Sequence, residues 1–321
     1  PQPRPDWAPP PYCHRRMTRP RPGRPLVLML AVLAACSGGG NGGGNGGGSA
    51  ANDAPRYAVG SRTETYVDDG SRSLLTTIYY PATADAVAVE GARPAADGGP
   101  FPLILFSHGG GTTGTSYSNL LSRIVEAGSV VAAPNYLGGG SDPTRRPADA
   151  RFVISRVLAA AAEPSHPLHG VIDANRVGAM GHSAGGGVTL GFAFHSCCRD
   201  TRVRAAVLLA SARPTCTGEA FPAPTIPALV VHGDADTRAP YASGRQLYDE
   251  LRSPKYFVTI RGGEHTPPFS GEMQRPQSRL VVEATVAFLD QHLTGQGVGA
   301  ADRLRQIVAG QPEVASLDAA A

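Results

Sequence analysis

From Tyr57 onward the chain is written in short apolar runs separated by stretches of helical periodicity. The first stretch, YAVGSRTETYVDDGSRSLLTTIYYPA, alternates apolar and polar positions around Asp68-Asp69-Gly70, a tight-turn signal, and predicts an antiparallel hairpin. Six apolar runs follow: Leu103–Ser107, Val130–Pro134, Arg176–Met180, Val203–Leu209, Ala228–His232 and Tyr256–Ile260. They are continuous rather than alternating, the pattern of strands covered on both faces. Between most of them, Tyr117–Ala127, Ala148–Ala161, Ala239–Leu251 and Ser278–Leu293 repeat their apolar residues at helical spacing. Strands alternating with helices predict one α/β domain with a mostly parallel sheet of eight strands, two antiparallel and six parallel, and helices on both faces. That domain occupies residues 54–295, and the tail 296–321 is expected to add at most one short helix.

The N-terminal region follows neither period. From Met17 it reads MTRPRPGRPLVLMLAVLAACSGGG: a basic stretch, a short apolar stretch, then small residues. The apolar part is too short to remain in a bilayer as a helix, so residues 1–36 are expected to end in a removable signal peptide. Residues 1–16 fit no secretion signal, and Met17 is the expected start of translation. Leu33-Ala34-Ala35-Cys36 resembles the lipobox of bacterial lipoproteins, which implies cleavage before Cys36 and lipidation of its thiol. Residues 37–53, SGGGNGGGNGGGSAAND, offer nothing large to bury and predict a flexible tether. Together these segments predict an exported domain held by lipid at the bacterial cell envelope, on the periplasmic face or the outer membrane.

Charge sharpens the list of partners. Six arginines and one acid precede Cys36 within a chain of formal charge +3. The remainder is therefore close to neutral, about −2, with no basic stripe for a nucleic acid. Of five cysteines, Cys13 and Cys36 lie in the leader. An exported domain meets oxidising conditions, so Cys216 is expected to form a disulfide with Cys197 or Cys198, a choice that spacing leaves open.

In open parallel sheets, chemistry gathers at the carboxyl ends of the strands. The third parallel run ends in Gly181-His182-Ser183-Ala184-Gly185, the G-x-S-x-G pattern of a nucleophile elbow. A serine hydroxyl is a poor nucleophile near neutral pH; it needs a base, and the base needs an orienting acid. ALVVHGDADTRAP brings Asp234 and Asp236 to the same edge, and YFVTIRGGEHTPPF brings His265, in the order Ser, Asp, His. Acyl transfer also needs preset N–H donors for an oxyanion. The loop after LILFSHGGGTTGTSY's strand supplies Gly110, and the residue after the serine supplies Ala184. A phosphate-cradling loop is the rival reading of these glycines, but no Gly-Lys-Ser/Thr follows them. His166, His169, His195 and His292 fall in a loop, after a helix or in the last helix, and His182 and His232 read as packing and turn residues.

LFSHGGG…YSNLLSRIVEAGSVVAAPNY, IDANRVGAMGHSAGG, HGDAD and GGEH together resemble α/β-hydrolases of the dienelactone-hydrolase-like group, over about residues 57–293. The resemblance is closest to the branch with plasma platelet-activating-factor acetylhydrolase and bacterial polyester hydrolases. It implies that the second acid of HGDAD, Asp236, partners His265, leaving Asp234 to close a turn. Dienelactone hydrolases use a cysteine nucleophile, so Ser183 argues against dienelactone as substrate. The expected activity is hydrolysis of small-molecule or polymeric carboxylic esters through an acyl-enzyme, with no metal and no cofactor. No insertion long enough for a helical cap separates Ser183 from Asp236. The two alternatives are a polyester or cutinase-like hydrolase and, from a different class, a non-catalytic lipoprotein that keeps the fold for binding.

Overall fold

The computed structural model describes residues 56–68, 73–84, 89–136, 143–212, 225–295 and 299–320. The signal peptide, Cys36, the tether 37–53, the hairpin turn after Asp68 and Cys216 lie outside the described residues. β1 (Ala58–Val67) and β2 (Ser73–Ala82) form the expected hairpin, in register from Ala58↔Ala82 to Val67↔Ser73. The apolar runs become β3 (Phe101–Ser107), β4 (Val130–Pro134), β5 (Ile172–His182), β6 (Val203–Leu209), β7 (Ala228–Gly233) and β8 (Lys255–Ile260). A ninth strand, β9 (Ala315–Ala320), completes one sheet in the order β1-β2-β4-β3-β5-β6-β7-β8-β9. β3 to β8 run parallel, while β1, β2 and β9 are antiparallel to their neighbours.

Seven α-helices are described: α1 (Ser118–Glu126), α2 (Arg146–Ala162), α3 (Ala184–Phe194), α4 (Tyr241–Glu250), α5 (Pro267–Ser270), α6 (Pro276–Leu289) and α7 (Ala300–Ala309). Alternate residues of a strand face opposite sides, and β3 shows the consequence. Leu103 and Leu105 enter one core with Val153 and Val157 of α2, Leu190 of α3 and Leu247 of α4. Ile104 and Phe106 enter the other with Leu121 and Ile124 of α1, Val281 and Phe288 of α6, and Leu304 of α7. Each such side chain, fully buried, contributes roughly 1.5–3 kcal/mol by leaving water. Two dry faces explain why these strands read as continuous apolar runs.

The structure corrects the expectation of eight strands. The stretch 296–321 holds α7 and then β9, which pairs antiparallel with β8 from Ile260↔Ala315 to Lys255↔Ala320. β9 reads ASLDAA and has no apolar run; it is half buried on an edge, where backbone hydrogen bonds to β8 supply the pairing. The cysteines also differ from expectation. After α3 the chain turns tightly, and the adjacent Cys197 and Cys198 are joined to each other in a vicinal disulfide. Neither thiol is left for Cys216 in this arrangement.

Candidate active site

Ser183 sits between the end of β5 and the start of α3 with φ 55° and ψ −121°, outside the comfortable range of a residue with a Cβ. Its backbone is held on both sides. The N–H donates to the Leu209 carbonyl at 2.9 Å, and the carbonyl accepts N–H bonds from Gly187 at 3.2 Å and Ala212 at 2.9 Å. The flanking glycines are a packing requirement. A Cβ on Gly181 would strike the Gly185 carbonyl, and one on Gly185 would strike the carbonyls of Ser107 and His108 at the end of β3. Strand, turn and helix thus meet at van der Waals distance, and the serine side chain is thrust up at the carboxyl edge of the sheet.

There it meets His265, from the loop between β8 and α5. The His265 Nε2 lies 2.8 Å from Ser183 Oγ, and its Nδ1 lies 2.7 Å from Asp236 Oδ2, on the loop after β7. Because a carboxylate only accepts, Nδ1 carries the ring proton and Nε2 presents its lone pair to the serine hydroxyl. Asp236 Oδ1 accepts the N–H groups of Arg238 at 2.8 Å and Ala239 at 2.9 Å. Burial works to raise the Asp236 pKa, but the hydrogen bonds from His265 and from those two N–H groups outweigh it and hold the carboxyl below its usual range. An ionised acid, a directed imidazole and a hydroxyl therefore stand in one row.

Asp234 is placed differently. Its Oδ1 accepts the Gly262 N–H at 2.6 Å, tying the loop after β7 to the loop after β8. The structure brings Asp236, not Asp234, to His265.

The glycine loop after β3 is set by side chains that the sequence reading left without a role. The Gly109 carbonyl accepts from His108 Nδ1 at 2.8 Å and from Thr112 Oγ1 at 2.9 Å. His108 Nε2 in turn accepts the Tyr136 N–H at 3.0 Å, which fixes its tautomer. A trans peptide points its N–H opposite to its C=O, so the Gly110 N–H is aimed away from His108 and Thr112. Gly110 faces Ala184: a Cβ on Gly110 would lie 3.9 Å from the Ala184 Cβ. Gly110 and Gly111 are exposed, leaving this side of the site open.

Other histidines stay in supporting positions. His232 Nε2 donates to the Ala239 carbonyl at 2.8 Å and lies 3.4 Å from Asp236 Oδ2, bracing the acid's loop. His182 bonds to Tyr117 and to the His265 backbone. His166 pairs with Glu64, and His292 packs on Tyr256 and Phe288. Among the described residues, no three His, Cys, Asp or Glu side chains stand together as metal ligands.

With this geometry established, the chain's similarity to known proteins bears on it. A family described as "PET hydrolase-like" matches residues 63–297, well over half of the chain. Cutinase 1 of Thermobifida cellulosilytica is 27% identical over 197 residues, 60% of this chain and 65% of that protein. The cutinase of Thermobifida fusca is also 27% identical over 197 residues, 60% of this chain and 57% of its own length. An uncharacterized protein of Mycobacterium tuberculosis is 35% identical over 115 residues, 36% of this chain and 31% of its own. The chain thus spans less than two thirds of the length of these relatives.

Proposed function

The chain belongs to the PET hydrolase-like family, and from that premise we propose that it cleaves carboxylic esters as a serine hydrolase. Ser183 is the nucleophile, His265 the general base and Asp236 the acid that orients it. The observation that carries the reading is the unbroken row from Ser183 Oγ through His265 to Asp236, at 2.8 and 2.7 Å. As Oγ attacks the ester carbonyl, His265 Nε2 takes its proton, and charge moves onto the former carbonyl oxygen. The N–H groups of Gly110 and Ala184 receive that oxyanion. Collapse expels the alcohol, protonated by His265. A water that gives its proton to the same nitrogen then releases the acyl group and restores the hydroxyl. This sequence asks for no metal and no cofactor.

The substrate class favoured is a polyester or another bulky ester. Two relatives carry the name cutinase, Gly110 and Gly111 are exposed, and a Cβ on Gly111 would meet nothing within 4 Å. Such an edge admits a chain that continues on both sides of the scissile bond. Activity on p-nitrophenyl butyrate together with release of soluble fragments from a polyester film is expected. Turnover of the soluble ester with the film untouched would confine the protein to small esters. The finer placement beside dienelactone-hydrolase-like and platelet-activating-factor-acetylhydrolase-like enzymes rests on the LFSHGGG…YSNLLSRIVEAGSVVAAPNY, IDANRVGAMGHSAGG, HGDAD and GGEH segments alone.

Anchoring to the cell envelope through lipid on Cys36 belongs to the same proposal, supported by LAAC and the glycine-rich stretch behind it. Mass spectrometry of membrane-fraction protein from the native host should find a diacylglyceryl-modified Cys36 at the N-terminus. Residues 17–35 still attached would overturn the anchor.

A further inference from the structure

We propose that Tyr117 and His182 are positioning residues for the hydrolysis, forming a hydrogen-bonded strut that holds the oxyanion loop, the serine elbow and the His265 loop in fixed relation. The inference rests on the ester-hydrolase reading above and adds two side chains to it.

The strut runs through three segments that are remote in sequence. The Gly109 N–H lies 3.1 Å from Tyr117 Oη, Tyr117 Oη lies 2.8 Å from His182 Nδ1, and His182 Nε2 lies 2.7 Å from the His265 carbonyl oxygen. Its proton directions follow from what each atom can do. A carbonyl only accepts, so His182 Nε2 donates. Burial pushes the His182 pKa down to about 4, so the ring is neutral and holds one proton. Nδ1 is then an acceptor, and the Tyr117 hydroxyl must donate to it. The tyrosine oxygen is left to accept the Gly109 N–H. Burial also raises the Tyr117 pKa, which keeps that hydroxyl protonated.

Both side chains are walled off from water, Tyr117 being 1% and His182 2% exposed. Phe106 packs edge-on against Tyr117, with ring centres 4.9 Å apart, and Phe269 covers His182 at 5.0 Å. Solvent therefore cannot substitute for a missing partner. Gly109 is fitted to the strut: a Cβ there would lie 2.7 Å from Tyr117 Oη and 3.1 Å from His182 Nδ1. Each end of the strut adjoins a proposed catalytic part. Gly109 precedes the oxyanion donor Gly110, and the His265 carbonyl belongs to the residue whose ring is the base. Displacement of reacting groups by an ångström can cost about a hundredfold in rate, so a brace on both groups bears on kcat.

A merely structural pair would move the melting temperature and leave kcat alone, which makes the kcat and KM split the discriminating readout. Tyr117→Phe keeps the ring and removes only the hydroxyl. Its kcat on p-nitrophenyl butyrate should fall roughly 10- to 100-fold, with KM within about twofold of wild type. Because the Gln amide supplies both a donor and an acceptor, His182→Gln should retain about tenfold more kcat than His182→Leu. 15N NMR of the histidine rings reads the strut without turnover: at neutral pH, His182 should be the Nε2–H tautomer, and Tyr117→Phe should shift its Nδ1 signal. An active wild type with Tyr117→Phe at parity in kcat overturns the strut alone, as does an Nδ1–H tautomer at His182. A wild type that shows the expected tautomer yet hydrolyses no ester overturns the ester-hydrolase reading beneath it.

Discussion

Ser183→Ala should lower ester hydrolysis by on the order of 10⁴-fold or more and abolish labelling by a fluorophosphonate probe, because no neighbouring group can replace the nucleophile in kind. The fold should survive. The side-chain bond lost is the one to His265, whereas the bonds that hold the turn run through the Ser183 backbone to Leu209, Gly187 and Ala212. Alanine carries the same Cβ as serine, so the positive φ of 55° is no more strained than before. Any residual rate would come from the oxyanion donors and from substrate binding, which in triad enzymes still give roughly 10³- to 10⁴-fold over water. Turnover by a folded Ser183→Ala protein within tenfold of wild type would remove Ser183 as the nucleophile and with it the serine-hydrolase reading, whereas a wild type with no turnover and no labelling would leave the non-catalytic binding alternative.

Asp236→Asn should cost about 10⁴-fold in kcat, the loss known when the triad acid of a serine protease becomes an amide. The local bonds say why. Asp236 Oδ1 accepts two backbone N–H groups, from Arg238 and Ala239. An asparagine must keep its carbonyl oxygen there, which turns its NH₂ group toward His265. An NH₂ donates, so it selects the tautomer whose Nδ1 accepts. The proton then sits on Nε2, facing Ser183, and the base has no lone pair for the hydroxyl. Asp234→Asn makes no such demand. Its Oδ1 can go on accepting the Gly262 N–H, so the expected cost is about 1 kcal/mol or less of stability, within the range of one hydrogen bond. Turnover of both variants, with melting curves to show that each is folded, separates the two carboxylates. Loss of activity in folded Asp234→Asn with Asp236→Asn near wild type would reverse the assignment.

What the sequence determined by itself is what local sterics and periodicity encode. Continuous apolar runs such as Val130–Pro134 can lie only between two dry faces, and they fall where β3 to β8 lie. Gly181-x-Ser183-x-Gly185 announces the elbow because the glycines answer a clash between a strand end and a helix start within five residues. The order Ser, Asp, His and the placement of each at a strand end were likewise legible. Tertiary structure decided the rest, because the deciding contacts join residues whose separation along the chain carries no periodic signal. Asp234 and Asp236 share one loop and one chemistry; a partner 29 residues away distinguishes Asp236. β9 has no apolar run and exists as a strand because β8 offers it an edge. Cys197 and Cys198, neighbours in sequence, are joined to each other, a pairing that cysteine counting does not encode. Tyr117 looked like the first residue of an ordinary amphipathic helix and His182 like packing beside a motif. Folding across 65 and 83 residues turned them into one chain of hydrogen bonds, since a buried donor must find an acceptor wherever the fold supplies one.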